Sequence, residues 1–188
     1  MSYFLSDIEN EKYLRDGFIL RRDQFSNTEL VNYRDSLEKT VLKAHSVAGS
    51  GKRYFLDKKK FIDIDFLTLQ YEPQPNDKYL KVIEPAHSLN SELEELIFDK
   101  RLTDPIKSIL STDSLSLWTD KLNLKRPQVG SGFGWHQDSP YWIHDNEDVD
   151  SLPNVYVCLD KADKENGCFR VIKGSHKKGC LPGIYDDS

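Results

Sequence analysis

Residues 130–138 read Gly-Ser-Gly-Phe-Gly-Trp-His-Gln-Asp. In an extended chain alternate residues point to the same side, so His136 and Asp138 can present an imidazole and a carboxylate to one metal ion. That pair suits a borderline metal such as iron(II), manganese or zinc. A further histidine would complete a two-histidine, one-carboxylate face that leaves coordination positions open. A His-x-Asp tripeptide is a weak signal by itself, so its meaning rests on the sequence around it.

Downstream, Asn154–Leu159 (Asn-Val-Tyr-Val-Cys-Leu) and Cys168–Ile172 read as strands, joined by a turn-rich segment that ends in Asn166-Gly167. Upstream, Leu115 and Leu117, then Leu122 and Leu124, alternate with polar residues and are interrupted around Thr119 to Lys121, as in a strand with a bulge. Residues 114–188 are therefore expected to be β-rich.

The part before them, about 1–113, reads as mainly helical. Ser6-Asp7-Ile8-Glu9 and Ser26-Asn27-Thr28-Glu29 fit the capping box, in which a hydroxyl and a glutamate satisfy backbone donors at a helix start. Leu30, Tyr33, Leu37, Val41 and Ala44 then recur at steps of three and four, on one helical face. Asp16-Gly17 before Phe18-Ile19-Leu20 predicts a turn into a short strand, and residues 46–60 predict a surface loop. Within that loop Gly49-Ser50-Gly51-Lys52 lacks the first glycine and the final hydroxyl of a phosphate loop. Ser91 to Phe98 reads as helical, and Asp104-Pro105 predicts the start of a short helix ending at Leu110. Helices first and strands afterward, with no linker or repeat, predict one α+β domain over 1–188.

Composition narrows the function. The chain has 188 residues, 38% hydrophobic and 11% aromatic, enough apolar surface for a core and too much for a disordered chain. With 26 basic against 31 acidic residues the net charge is -5, which argues against nucleic acid or an anionic membrane as a partner. No stretch is long and apolar enough for a membrane span, and the first residues carry acids, so an intracellular, cytoplasmic protein is expected. Cys158, Cys168 and Cys180 show no Cys-x-x-Cys spacing and are expected to be buried thiols.

Several of these segments, in order, resemble the phytanoyl-CoA dioxygenase family of iron(II)- and 2-oxoglutarate-dependent oxygenases. They are Asn123-Leu124-Lys125, Trp135-His136-Gln137-Asp138, Val155-Tyr156-Val157-Cys158-Leu159-Asp160, and Glu165 through Gly174-Ser175-His176. Leu14-Arg15-Asp16-Gly17-Phe18-Ile19-Leu20 is similar to the family's beginning. The resemblance implies a double-stranded β-helix, a jelly-roll, with helices before it. It implies that His136 and Asp138 are iron ligands, that Lys125, Asn123 and Tyr156 face the 2-oxoglutarate pocket, and that Trp142 borders the substrate. It also implies dioxygen and a small molecule, such as an acyl-CoA or another metabolite, as substrates, with ascorbate as reductant. A carboxylate at 138 fits hydroxylation, whereas a small residue there would leave room for a halide.

The family's third ligand, a histidine, and the basic residue that pairs with 2-oxoglutarate lie downstream of the Gly-Ser-His turn, and Ser188 follows that turn closely. The expectation is a chain that lacks the last strands of the jelly-roll. A fragment of a longer enzyme is favoured over a non-catalytic truncated form with a binding or regulatory role. His176 matches the turn histidine, and His144 lies among acidic neighbours. A zinc hydrolase using His136, Asp138 and His144 is a weaker reading. Arg170 matches a structural position, and His45 and His87 are expected at the surface or at helix caps.

Overall fold

Five antiparallel strands, with helices covering one face, frame a computed structural model that describes residues 2–142, 148–149 and 152–181. The strands β1 (Lys52–Leu56), β2 (Lys59–Ile64), β3 (Leu67–Tyr71), β4 (Leu80–Glu84) and β5 (Leu122–Asn123) lie side by side in sequence order. The β1–β2 turn places Asp57 and Lys58 at φ 48° and 60°, the left-handed geometry that matches the twist of a tight hairpin.

Register decides which side chains enter the core. Ile62 lies opposite Leu69, Leu69 opposite Ile83, and Ile83 opposite Leu122, so one face of the sheet is continuous and apolar. The other face carries Thr68, Gln70, Val82, Glu84 and Asn123. Helix α1 (Asp7–Asp16) precedes α2 (Asn27–Val47), which buries Val41 and Ala44 against the apolar face together with Leu93 of α3 (Ser91–Ile97). One polar side chain locks the two helices together. Asn90 donates from Nδ2 to the Ser36 carbonyl at 3.1 Å, to Ser36 Oγ at 2.8 Å and to Thr40 Oγ1 at 3.0 Å, while its Oδ1 caps α3 by accepting from Glu92 N–H. Buried hydroxyls on α2 are tolerated because this amide satisfies them.

Both capping boxes are present, with Ser6 and Glu9 on α1 and Ser26 and Glu29 on α2. Gly17 ends α1 at φ 85°, where a side chain would be strained. The face predicted on α2 is the buried one at Val41 and Ala44, with Leu37 packed beside them.

The partition into a helical first part and a β-rich second part is corrected. Four of the five strands lie before residue 113, and residues 46–60 form the end of α2, a 3-10 turn over Ala48–Ser50, and β1 with the start of β2. Their composition hid them, because β1 is an edge strand and carries the charges that discourage further pairing. Phe18–Leu20, Asn154–Leu159 and Cys168–Ile172 form no strand. Of the expected strand around Leu115–Leu124, only β5 pairs, since it is the segment that reaches the free edge of β4. Helix α4 (Lys100–Leu110) starts earlier than expected. Asp99 caps it through Arg101 N–H, Pro105 lies inside it, and Asp104 instead accepts from Tyr3 N–H at 3.0 Å. Cys158 and Cys180 are exposed and Cys168 half-buried, unlike the expected buried thiols, because the segments that carry them make no ladder that would enclose them. Among the described residues, no helix is long and apolar enough to cross a membrane.

Two measurements test this frame. Leu69 is fully buried at the centre of the sheet, so Leu69→Ala should cost about 2–5 kcal/mol in urea unfolding; a loss below about 1 kcal/mol would contradict its central place. Arg21 donates to Glu9 at 2.8 and 2.9 Å, and this pairing, with the Ser6 backbone bond, holds the Glu9 carboxyl at about 2 instead of 4.5. A lowered carboxylate pKa contributes stability that is present above its ordinary value and is lost as pH falls toward the folded one. Glu9→Gln should therefore be less stable than wild type at neutral pH and flatten the loss of stability between about pH 4.5 and 2; parallel acid-unfolding curves would count against it.

Candidate metal centre

After β5 the chain turns through Pro127 and the Gly-rich run and presents His136 and Asp138 on one side. Gln137 points the other way, donating to the Gly179 carbonyl at 3.0 Å and accepting from Leu181 N–H at 2.6 Å. This alternation is the one expected of extended chain. His136 Nε2 lies 3.5 Å from Asp138 Oδ1, with the two side chains 40% and 38% exposed. An ion bound at about 2.1 Å to each atom spans that gap.

The ring's other nitrogen fixes the tautomer. His136 Nδ1 donates to the Gly134 carbonyl at 2.7 Å, so Nε2, on the Asp138 side, is the nitrogen that carries a proton toward the carboxylate or gives it up to ligate a metal ion. Asp138 Oδ2 accepts from Asn154 Nδ2 at 3.2 Å, and its backbone carbonyl accepts from Tyr141 N–H at 2.9 Å. The Asp138 hydrogen bond raises the His136 pKa against the opposing effect of burial, and the His136 bond lowers that of Asp138. Each group thus favours a positive charge between them, which a proton or a metal ion can supply. The donor set fits the nitrogen–oxygen chemistry of iron(II).

Trp142, at the end of the short helix α5 (Ser139–Trp142), lies 6.4 Å from Trp118, and Lys121 Nζ sits 5.7 Å above its ring. Lys121 also acts electrostatically on both His136 and Asp138, so Trp142 belongs to the same neighbourhood. Asn123 is in β5 opposite Val82. Lys125 donates to the Gly167 carbonyl at 2.5 Å, and Tyr156 stacks on Phe169 at 4.7 Å. Burial raises the Tyr156 pKa.

Other histidines stand elsewhere. His176 Nε2 donates to the Leu14 carbonyl at 3.1 Å and packs against Gly17, where an added Cβ would come within 2.3 Å of the ring. It therefore latches the Gly-Ser-His turn to the end of α1. His87, expected at the surface or at a helix cap, pairs through Nδ1 with Asp120, whose carboxylate also accepts from Ala86 and His87 N–H. His45 is exposed, and His144 lies outside the described residues. Arg170 sits over the Trp135 ring at 5.2 Å. Among the described residues, no group of three or more His, Cys, Asp or Glu side chains is placed to hold a metal ion.

Sequence reasoning missed Glu72 and Lys81. Both are buried, and both bind Ser131 at the start of the Gly-rich run, Glu72 by accepting its N–H and hydroxyl and Lys81 by donating to its oxygen. Burial lowers the Lys81 pKa, opposed by the nearby Glu72. The available signal was a lysine inside the apolar run Leu80-Lys81-Val82-Ile83, a position where an unpaired charge would be costly.

Comparison with known proteins identifies the family. The chain is 25% identical over 169 residues to a probable alpha-ketoglutarate-dependent hypophosphite dioxygenase of Stutzerimonas stutzeri, covering 90% of this chain and 53% of that one. It is 27% identical over 186 residues to a phytanoyl-CoA dioxygenase domain-containing protein 1 homolog of Caenorhabditis elegans, covering 89% and 64%. It is 26% identical over 183 residues to an ectoine dioxygenase of Stutzerimonas stutzeri, covering 93% and 54%. The chain thus spans about half to two thirds of the length of these relatives. No solved structure matches it significantly. The phytanoyl-CoA dioxygenase profile matches residues 13–183, nearly the whole chain, and the chain belongs to that family.

Proposed function

We propose that the protein is an iron(II)- and 2-oxoglutarate-dependent dioxygenase that hydroxylates a small molecule. The observation that carries this reading is the His136–Asp138 pair, with the Gly134 carbonyl holding the imidazole in the tautomer that ligates through Nε2. His136 and Asp138 hold the metal, Asn123, Lys125 and Tyr156 face the cosubstrate, and Trp142 borders the substrate. Relatives named as alpha-ketoglutarate-dependent and ectoine dioxygenases support the same chemistry.

Held by His136 and Asp138, iron(II) with 2-oxoglutarate would supply the activation of dioxygen that couples formation of succinate and carbon dioxide to hydroxylation of a substrate C–H bond. The chain's own residues orient and shield. Gly134 and Asn154 fix the two ligands. Lys125 exchanges its bond to the Gly167 carbonyl for a cosubstrate carboxylate, at little cost because it is exposed. Trp142 and Trp118 offer aromatic surface next to the pair.

In this reading the 188 residues form one domain of a jelly-roll whose third ligand and cosubstrate arginine belong to sequence beyond them, and ascorbate keeps the iron reduced. The partial coverage of the relatives supports it. A second reading is a non-catalytic binding form of the same fold. Its support is that the described residues bring only two ligands together.

Succinate formation from 2-oxoglutarate, with iron(II) and ascorbate, tests the first reading on the full-length protein. His136→Ala and Asp138→Ala should each lower turnover about 100-fold or more, with unchanged far-UV circular dichroism; undiminished turnover would remove the metal role. Anaerobic titration of the full-length protein with manganese(II) and 2-oxoglutarate separates the two readings, because tight binding of both would refute the non-catalytic one.

A further inference from the structure

The segment that carries the metal pair is held from below by two charges. Glu72 is 1% exposed and Lys81 2% exposed. Glu72 Oε2 accepts from Ser131 N–H at 3.0 Å and from its hydroxyl at 2.6 Å. Lys81 Nζ donates to Ser131 Oγ at 2.5 Å and to the Gly132 carbonyl at 2.9 Å, 4.0 Å from Glu72 Oε2 and 4.3 Å from the Phe133 ring centre. Among the described residues, Glu72 Oε1 is buried without a hydrogen-bond partner. A fully desolvated carboxylate with half its acceptors unused is an expensive way to gain stability.

Its location gives it another use. The chain from Ser131 to His136 contains Gly132 and Gly134, and at both positions an added Cβ would meet nothing within 4 Å. At these two positions no packed side chain restrains the backbone, so the hold on the stretch falls to its ends and to the ring contacts of Phe133 with Lys81 and of Trp135 with Arg170. Its far end is set by Tyr141 and Asn154, which both bind Asp138. Its near end is set by Glu72 and Lys81.

We propose that Glu72 is a positioning residue: by gripping the Ser131 N–H and hydroxyl it fixes where the Gly-rich stretch begins, and so holds His136 at its distance from Asp138. This rests on the metal reading above. Glu72 touches neither ligand and acts through Ser131.

Amide hydrogen exchange on the metal-free chain tests the grip apart from that reading. In Glu72→Ala, amides of residues 131–138 should exchange about tenfold faster or more, with α1 and β1–β2 unchanged. Glu72→Gln keeps an acceptor oxygen for Ser131 and should restore slow exchange, while Ser131→Ala keeps only the N–H bond and should fall between. If Glu72→Ala does not fold, the contrast between Ser131→Ala and Glu72→Gln decides. Unchanged exchange in Glu72→Ala, or equal loosening in Glu72→Gln and Ser131→Ala, overturns the proposal.

Manganese(II) titration of the same variants adds the functional readout. Affinity should fall about tenfold where exchange quickens and recover in Glu72→Gln. Faster exchange with unaltered affinity would show a purely structural grip and overturn the positioning role. Wild-type affinity in His136→Ala would instead refute the metal reading, leaving the exchange result to decide whether Glu72 grips the stretch.

Discussion

Strand β4 has to satisfy two neighbours and two faces at once, and the rest of the molecule is arranged around that requirement. Its backbone pairs with β3 on one side and would be left as an open edge on the other without β5, which binds through Leu122 and Asn123 and extends the pairing when Leu124 N–H reaches the Lys81 carbonyl at 2.8 Å. Ile83 enters the core from this strand, and Lys81 reaches the Gly-rich run. The irregular register between Gln70 and Tyr71 brings Leu80 opposite Tyr71 and Val82 opposite Gln70, which leaves Lys81 as the unopposed residue. A bulge re-aims a side chain, and here the side chain is a buried cation directed at Ser131.

The parts of the fold that were legible in sequence are those set by local chemistry. Ser6 with Glu9, and Ser26 with Glu29, satisfy helix-end donors within four residues, so the sequence alone declares them. The buried face of α2 was legible for the same reason, as a periodicity. Strands β1 and β2 were not, because Lys52, Arg53, Lys59 and Lys60 dilute their apolar pattern and their identity as strands comes from each other. The reverse error occurred at Asn154–Leu159 and Cys168–Ile172. Their composition is that of strands, but a strand is a relation between two segments, and among the described residues none pairs with them.

The candidate site divides in the same manner. His136 and Asp138 were legible because alternate residues share a side, a property of the backbone alone. Neither the Asn154 bond to Asp138 nor the pinning of Ser131 could be read, since both join residues far apart in sequence. The Gly-rich composition of 130–134 gave notice only that the backbone there needs an external hold.

That need extends through the C-terminal segment, where tethers replace ladders. Arg34 binds the Leu159 carbonyl at 2.9 Å, Arg126 makes a two-pronged ion pair with Glu38 at 2.6 and 2.8 Å, and Gln137 secures Gly179 and Leu181. Lys173 and His176 fasten the Gly-Ser-His turn to the end of α1, where Gly174 N–H also meets the Asp16 carbonyl at 2.8 Å. Each is one or two polar contacts joining segments distant in sequence, and those that are exposed can be replaced by water. A ladder distributes its hold over many bonds, so losing one changes little, whereas a tether that is lost frees the whole stretch between its neighbours. The geometry of His136 and Asp138 is therefore governed less by the core that stabilises the fold than by a few polar contacts outside it. Among them, Glu72 and Lys81 reach Ser131 from almost wholly buried positions, where water does not readily take the place of a lost contact.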